Sequence, residues 1–320
     1  MRNHIPCLCA ILSILTVSGV AHAETDVTQV VVHGHSWSPY ARLQSTVPGP
    51  AMWKLTRGSG TVWVMAVLDE APAGFTWDDR FFNEKLKGAD RLITPGAATF
   101  NRDGEARYRR GSRLPAGTTL KDRVTAATYS RLVDTVAREK TQTLDAYTGF
   151  TPEHAGAELY DSVLAWHHID GDIPQIAQAS TLAVKASIPV EPALRFDGDE
   201  TTDRLLALSA AGNEACLVGY LDGIDYDLST LPQVTDAWAQ GDVTNVSLVY
   251  HDTPSLTCDQ QVPGWGDTVA GAETRMTQAI DDALAQPGHS VAVMRFSQLL
   301  HKGGILDQLH ARGVDIAPAE

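Results

Sequence analysis

The pattern of apolar and polar positions predicts β-structure in the first third of the chain. Two segments rich in aromatic and β-branched residues, "AMWKLTR" and "TVWVMAVL", flank the turn "GSG" and predict a β-hairpin. A short helix in "WDDRFFNEKLKGAD" that ends at Gly88, and a strand in "RLITPG" that stops at Pro95, are predicted to follow. A strand-helix-strand unit of this kind is typical of a partly parallel sheet.

The middle of the chain has the periodicity of helices. In "KDRVTAATYSRLVDTVAREK" the apolar residues recur at i, i+3, i+4 and i+7, which is the stripe of a surface helix. A second helix is predicted to open at Thr151, with a first-turn proline, and to carry Leu159, Val163 and Trp166 on its apolar stripe. Further helices are predicted at 174–186, 201–211, 214–223 and 229–240.

The end of the chain returns to a mixed pattern. "GDTVAGAETRMTQAIDDALAQPG" predicts a long helix, "HSVAVMRF" a buried strand, and "GGILDQLHARGVDI" a last helix and an edge strand. The predicted fold class is therefore α/β (α+β). A mixed central sheet takes strands from both the N-terminal and the C-terminal parts of the chain, around a largely helical insertion.

The first residues have the pattern of a secretory signal peptide. Arg2 and His4 precede the apolar run "IPCLCAILSILTVSGV", which ends in "AHA" before the acidic "ETD", so cleavage is expected after Ala23. An uncleaved anchor is the alternative, but the run is shorter than the roughly 20 apolar residues of a membrane span. The predicted organisation is a signal peptide at 1–23, a flexible lead segment at 24–47 and a single domain at 48–320. The predicted location is periplasmic or secreted.

Two cysteines, Cys216 and Cys258, remain after signal cleavage. An oxidising compartment lets disulfides form and persist, so we expect a bridge between them, worth roughly 4 kcal/mol in the loop-entropy model. Two separate buried thiols are the alternative. Neither cysteine belongs to a Cys-x-x-Cys pair, so the spacing matches no zinc pattern.

The charge balance excludes one class of partner. Lys and Arg together number 25 and Asp and Glu 39, which gives a formal net charge of −14. Long-range attraction to phosphate requires the opposite sign, so no nucleic-acid partner is predicted. No segment after the leader is apolar for long enough to span a membrane.

The order of several segments resembles the TraB/GumN family. "GPAMWKLTRGSGTVWVMAVLDEAP" is similar to the opening of family members, and four later segments match in the same order: "LPAGTTLKDRVTAATYSRL", "DAWAQGDV", "AETRMTQAIDDALAQPGHSVAVM" and "GGILDQLHARGV". The resemblance covers most of residues 48–316. It implies two Gly-x-x-His motifs, one after each core strand, and a glutamate after the first helix. Together these form a plausible site for a divalent metal in a metal-dependent peptidase.

This sequence departs from the family pattern at all three positions. The first motif falls on "AVLD", so its histidine is replaced by Asp69, and the glutamate falls on Pro95. The second motif falls near "RFSQ", within a residue or two, so its histidine is replaced by Gln298. The resemblance therefore implies a family member that is catalytically inactive or strongly altered.

Asp69 and Glu70 follow a predicted buried strand, which leaves two interpretations. They form a rebuilt site, in which Asp69 binds a hard metal, Glu70 accepts a proton and His301 turns inward. Alternatively, Asp69 caps a turn, Glu70 faces solvent and His301 lies on the first turn before the last helix. The second interpretation is favoured, because the ligands implied by the resemblance are all replaced.

Other polar clusters give weaker signals. "WHHIDGD" contains adjacent histidines that point about 100° apart on a helix, and "LDGIDYD", which holds Asp222, Asp225 and Asp227, lacks the glycine and glutamate of an EF-hand. Serine-hydrolase, phosphate-loop and dinucleotide motifs are absent from the sequence.

The predicted function is a non-catalytic role in the cell envelope. The partner is a peptide, a small ligand or another envelope protein, and no cofactor is predicted. A metal-dependent hydrolase or peptidase with substituted ligands is the alternative, and only that alternative needs a divalent metal.

Overall fold

The computed structural model describes residues 31–32, 35–99, 104–171, 173–250, 257–258 and 260–320. The predicted signal peptide, its cleavage site after Ala23 and the first part of the predicted lead segment lie outside these residues. The predicted boundaries of the lead segment and of the single domain stay a prediction. No helix in the described ranges is both long and apolar enough to cross a membrane.

Short strands alternate with helices along the chain. The strands are β1 Val31–Val32, β2 His35–Ser36, β3 Met52–Arg57, β4 Gly60–Val67, β5 Ala71–Pro72, β6 Leu92–Thr94, β7 Ala97–Thr99, β8 Ile169–Asp170, β9 Val190–Pro192, β10 Arg195–Asp197, β11 Gly288–Arg295 and β12 Asp315–Pro318. The helices are α1 Arg80–Leu86, α2 Gly104–Gly111, α3 Ala126–Glu139, α4 Pro152–Trp166, α5 Pro174–Lys185, α6 Gly198–Leu206, α7 Ala210–Ala239, α8 Val243–Val249, α9 Trp265–Leu284, α10 Phe296–Leu300 and α11 Ile305–Ala311.

A mixed sheet in the order β12-β3-β4-β11-β6-β9 forms the centre of the fold. Strand β3 pairs antiparallel with β12 and β4, whereas β4, β11, β6 and β9 run parallel to one another. The predicted hairpin and the predicted late strand are therefore confirmed, and so is the mixed α/β fold class. Parallel strands covered by helices are apolar along their whole length, which explains why β4 and β11 read as continuous apolar runs.

The buried apolar side chains form two clusters. The larger one, which we call the sheet core, surrounds β3, β4 and β11 and includes Trp53, Val64 and Val293. The smaller one, which we call the helical core, packs α3, α4 and the first half of α7 and includes Leu159 and Leu217. The predicted helical insertion thus has a hydrophobic core of its own.

Helix α7 belongs to both cores. The sequence predicted two shorter helices here, at 214–223 and 229–240, and that prediction is wrong because one helix runs from Ala210 to Ala239. Gly223 is buried inside it, and Pro232 leaves one backbone carbonyl without its helical donor. Helical packing against both cores outweighs these two unfavourable residues. The first half of α7 contacts the helical core and the second half the sheet core.

Two further features of the helical core bear on the predictions. Cys216 and Cys258 form a disulfide bond with a Cα–Cα distance of 4.3 Å, so the predicted bridge is confirmed. Trp166, which was predicted on the apolar stripe of α4, is 63% exposed, so that part of the stripe prediction is wrong. Trp166 is the last residue of α4. The apolar stripe of the sequence continues to this residue, but helix α7 does not cover it there.

Candidate functional site

The site is built at the carboxyl edge of two neighbouring parallel strands. Strands β4 and β11 are paired in register, with Val67 opposite Arg295. Asp69 and Glu70 follow β4 directly, so the chain brings them to the same edge as Arg295. Ligands bind preferentially at the carboxyl edge of parallel strands. Asp69 is 5% exposed and Glu70 9%, so both carboxyl groups are buried at this edge.

Asp69 contacts partners from three parts of the fold. The Tyr250 hydroxyl donates to its Oδ2 at 2.8 Å, and the Arg295 guanidinium lies 3.3 Å from its Oδ1. Its backbone carbonyl accepts a hydrogen bond from the Ile173 N–H. The Arg295 contact is an ion pair rather than an aligned hydrogen bond, because Oδ1 has no hydrogen-bond donor in good geometry among the described residues. Charge compensation, more than hydrogen bonding, holds this oxygen.

Glu70 lies in a second set of contacts, made with helices α4 and α7. The Tyr160 hydroxyl is 3.2 Å from Glu70 Oε1 and 2.6 Å from Asp227 Oδ2. A tyrosine hydroxyl has a single proton, so the shorter contact assigns that proton to the Asp227 carboxylate. The longer contact gives Glu70 Oε1 only a weak donor, which suits a neutral Glu70 carboxyl group better than a charged one.

The surroundings of Glu70 favour that neutral form. Burial raises the pKa of Glu70 well above its usual range, and the charges of Asp69 and then Asp227 raise it further. The contacts with Tyr160 and Arg295 act in the opposite direction. Burial is also the main reason why the pKa of the Tyr160 hydroxyl is raised, so this group stays protonated. Burial and the neighbouring acids thus favour the uncharged form of Glu70 within this cluster.

A cavity of about 20 Å³ lies between these groups. Its apolar wall includes Leu231, and its polar wall consists of Asp69, Glu70, Tyr226, Asp227 and Tyr250. This volume has room for about one water molecule with several polar partners. The cavity thus lies between the sheet core and helix α7.

The predicted site residues do not gather as the rebuilt-site interpretation requires. Pro95 is buried after β6, and Gln298 lies in the short helix α10. The His301 side chain turns to Glu273, with 2.9 Å between Nε2 and Oε1, and this hydrogen bond raises its pKa. His301 therefore pairs away from Asp69.

The favoured interpretation of the two acidic residues is also wrong in one part. It placed Glu70 in solvent, whereas Glu70 is buried under Tyr160. The reason is that the chain leaves the central sheet after β4 without turning into solvent. It continues into β5, which pairs with β8 next to helix α4, so that both carboxyl groups stay between the cores.

Apart from the buried Asp227, the other polar clusters lie at the surface of the helices. His167 pairs with Glu139, with 2.9 Å between Nε2 and Oε2. Asp222 and Asp225 pair with Arg131, and Asp225 also pairs with Arg138. The contacts between aspartate and arginine are partly exposed ion pairs between neighbouring helices, and surface pairs of this kind contribute little to stability.

Asp227, Tyr160, Tyr250 and Arg295 are the site residues that sequence reasoning missed. A signal existed for Asp227, because it lies three residues after Ile224 and four before Leu231, inside the buried stripe of a continuous helix. Splitting α7 at this point hid that stripe. The two tyrosines carry no motif, and only the fold brings their hydroxyls to the cluster.

The residues present do not fit the divalent metal that the family resemblance implies. Within the described residues, no group of three or more His, Cys, Asp or Glu side chains is arranged to hold a metal ion. The three positions expected to supply ligands are Asp69, Pro95 and Gln298, and the carboxylate among them is already ion-paired with Arg295. A guanidinium keeps its positive charge at any physiological pH, so a second cation beside Asp69 would be repelled.

Comparison with known proteins identifies the family. The model of the TraB/PrgY/gumN family matches residues 51–318, which is most of the chain. The chain therefore belongs to this family, and the resemblance predicted from its segments is confirmed. Searches of curated proteins and of solved structures find no match.

Proposed function

We propose that this member of the TraB/PrgY/gumN family is a non-catalytic binding protein of the cell envelope. The observation that carries the proposal is the ion pair between Asp69 and Arg295 at the carboxyl edge of the sheet. Relatives are expected to place metal-binding groups at this edge. In this chain the carboxylate is compensated from within the protein, by a side chain of the neighbouring strand.

The form of the cavity supports the same conclusion. Chemistry on a peptide needs space for the scissile bond beside the reacting groups, whereas the cavity between Glu70 and Asp227 has a volume of about 20 Å³. Tyr160 and Tyr250 already bond to the carboxyl groups that would act as bases. The cluster is suited to joining the two cores and to responding to a partner bound nearby.

Export to the periplasm or beyond the cell is part of the proposal. The leader pattern that ends at Ala23 supports it, and so does the disulfide between Cys216 and Cys258, since oxidising compartments preserve such bonds. Mass spectrometry of the exported protein is expected to give an N-terminus at Glu24. An intact Met1 on the mature protein would contradict export.

The alternative is a metal-dependent hydrolase or peptidase with substituted ligands. The observation in its favour is that three buried carboxyl groups, those of Asp69, Glu70 and Asp227, line one cavity. Carboxylate oxygens suit hard divalent metals. This alternative requires Arg295 to leave Asp69 so that a metal ion takes its place.

Metal content and hydrolysis, measured on the same preparations, separate the two proposals. The full mature chain is purified without chelators, analysed for bound zinc, manganese and iron, and assayed on a mixed peptide library. We expect less than stoichiometric metal and no cleavage above background. Asp69→Asn should change neither result. Asp315→Asn, which removes an exposed carboxylate at the opposite edge of the sheet, is the matched control. Stoichiometric metal that is lost only in Asp69→Asn would establish the hydrolase instead.

A further inference from the structure

The chain's own N-terminal segment is bound close to the site as a short extended strand. Trp37 forms an antiparallel bridge with His301. On either side of that bridge the Ser38 N–H donates to the Leu300 carbonyl at 2.8 Å, and the Lys302 N–H donates to the Ser36 carbonyl at 2.7 Å. Backbone pairing of this kind is the mode by which proteins take up extended peptides.

The side chain at the centre of this segment enters an aromatic pocket. The Trp37 ring meets Tyr250 edge-on at a centroid distance of 5.8 Å and Phe296 at 5.4 Å. Tyr250 and Phe296 stack on each other at 5.1 Å. Aromatic pairs in these arrangements contribute about 0.5–1.5 kcal/mol beyond the area they bury. The pocket thus selects a large, flat side chain.

The next side chain is recognised by a carboxylate. The Ser38 hydroxyl donates to Asp307 Oδ1 at 2.6 Å, and the other oxygen of Asp307 accepts the Gly303 N–H at 2.7 Å. The Gly303 contact fixes the orientation of the carboxylate, so that Oδ1 faces the Ser38 hydroxyl. Ser38 is 1% exposed, which shows that the hydroxyl is enclosed rather than solvated.

We propose that this groove is a peptide-binding site and that residues 36–38 occupy it as an internal ligand. The groove consists of the 300–302 backbone, the Tyr250 and Phe296 rings and the Asp307 carboxylate. Its ligand class is an extended peptide with an aromatic residue followed by serine or threonine. The inference deepens the proposed binding role and rests on it for its biological meaning, since it names the partner's chemistry.

The groove is connected to the carboxyl cluster through one side chain. Tyr250 contacts Trp37 with its ring and donates its hydroxyl to Asp69. Exchange of the internal segment for an external peptide therefore acts on the group that holds Asp69. This gives the binding protein a route from the groove to the junction of its two cores.

A tethered segment competes strongly with a free peptide, because its effective concentration is on the order of millimolar. The experiment weakens that competitor in the full mature chain with Trp37→Ala and Ser38→Ala. The probe is a fluorescent peptide with the sequence of residues 35–41, HSWSPYA, followed by fluorescence polarisation. We expect the double variant to bind it with a Kd at least tenfold lower than that of the wild-type chain. A peptide with Ala in place of its Trp should bind neither protein.

Two controls test the groove itself. Trp166→Ala removes an exposed tryptophan and should leave peptide binding at the wild-type level. Asp307→Asn, added to the double variant, should weaken binding at least fivefold. Thermal unfolding confirms that each variant is folded. If the double variant is destabilised, the single Ser38→Ala variant is used, in which a smaller gain in the same direction is expected.

Equal binding by the wild-type protein and the Trp37→Ala/Ser38→Ala variant would overturn the inference. So would the absence of binding by this variant when it is folded. Amide hydrogen exchange gives an independent measurement. Lys302, whose N–H is bonded to Ser36, should lose protection in Trp37→Ala and regain it when the peptide is added. The hydrolysis assay described above is separate from these titrations, so a failed binding site and a failed non-catalytic assignment give different results.

Discussion

The sheet core and the helical core each border one buried glutamate that contacts a tyrosine hydroxyl, yet the two glutamates differ in their neighbours. Glu70 shares Tyr160 with Asp227, and Asp69 and a cavity lie beside it. Glu153, in the first turn of α4, accepts the single Tyr108 hydroxyl proton, and the hydroxyl oxygen lies 2.6 Å from each of its carboxyl oxygens. No second acid contributes to the shift of its pKa.

The difference shows which features distinguish a buried acid in a candidate binding site from a buried acid in a structural contact. Burial raises the pKa of Glu153 to about 7, with Tyr108 acting in the opposite direction, and this is the behaviour of a single carboxyl group in a helical core. Glu70 is raised by burial and by two other carboxyl groups as well, and an arginine compensates part of their charge. Several acids that converge on a cavity from different elements form a candidate binding site, whereas one acid with one hydroxyl forms a structural contact.

The largest expected effect concerns the disulfide, which lies in the helical core only. Replacing Cys216 and Cys258 by Ser should lower the free energy of unfolding by about 4 kcal/mol, since the bridge closes a loop of 42 residues. Urea titrations of oxidised wild type and double variant measure the loss. Amides of α4 should lose more protection from exchange than those of β4 and β11. Equal losses in both cores would show that the bridge does not distinguish them.

The second effect is a dependence of stability on pH that Glu153 should cause. Its pKa in the folded protein, about 7, exceeds its ordinary value of 4.5, so its contribution is fully present below pH 4.5 and is lost as the pH rises through 7. The loss amounts to about 3 kcal/mol. Glu153→Gln should therefore be more stable than wild type at pH 8, and the two should converge near pH 4.5.

Two comparisons isolate this effect. Burial lowers the pKa of the neighbouring His154, which therefore acts in the opposite direction, with stability lost as the pH falls below about 6.5. His154 is present in both proteins, so the difference between wild type and Glu153→Gln cancels its contribution. Asp134→Asn, which removes an exposed acid from the neighbouring helix α3, is the control for a change of surface charge. A flat difference curve for Glu153→Gln would contradict the assignment.

A third, smaller effect compares the two tyrosines. Tyr160→Phe removes a hydroxyl that contacts two buried acids and should cost about 2 kcal/mol, whereas Tyr108→Phe removes one that contacts a single acid and should cost about 1 kcal/mol. Denaturant titrations at pH 5, where Glu153 is largely neutral, measure both. A larger loss for Tyr108→Phe than for Tyr160→Phe would show that the cluster around Glu70 does not depend specially on the Tyr160 hydroxyl.

The smallest effect concerns an exposed acid on α7. Asp225 pairs with Arg131 and Arg138 at the surface, two residues before the buried Asp227. Asp225→Asn should cost about 0.5 kcal/mol, because exposed ion pairs contribute little, and most of that cost should vanish at high salt. It is the matched control for Asp227→Asn, which should cost several times more. Similar losses in both variants would mean that Asp227 is not energetically distinct.

The sequence predicted the sheet better than it predicted the site. Strands β4 and β11 have continuous apolar runs, a clear turn separates β3 from β4, and such patterns are local. The site depends on Glu70 being kept inside by β5 and on Asp227 lying in a helix that the local signals at Gly223 and Pro232 divide. Tertiary packing keeps α7 continuous despite Gly223 and Pro232, and a local sequence pattern contains no information about that packing. The disulfide was predictable because only two cysteines follow the predicted signal peptide.

The order of the strands has a consequence for when this protein can fold. Strand β11 lies between β4 and β6 in the sheet, and its residues pair with strands that precede the whole helical middle of the chain. Pairings between such distant segments form slowly, because the loop between them has to close first. Until Gly288–Arg295 has left the ribosome, β4 has no partner on that side. Synthesis order thus keeps the sheet open until late, which agrees with the export proposed above, because the chain then has time to reach an export machinery before it becomes compact.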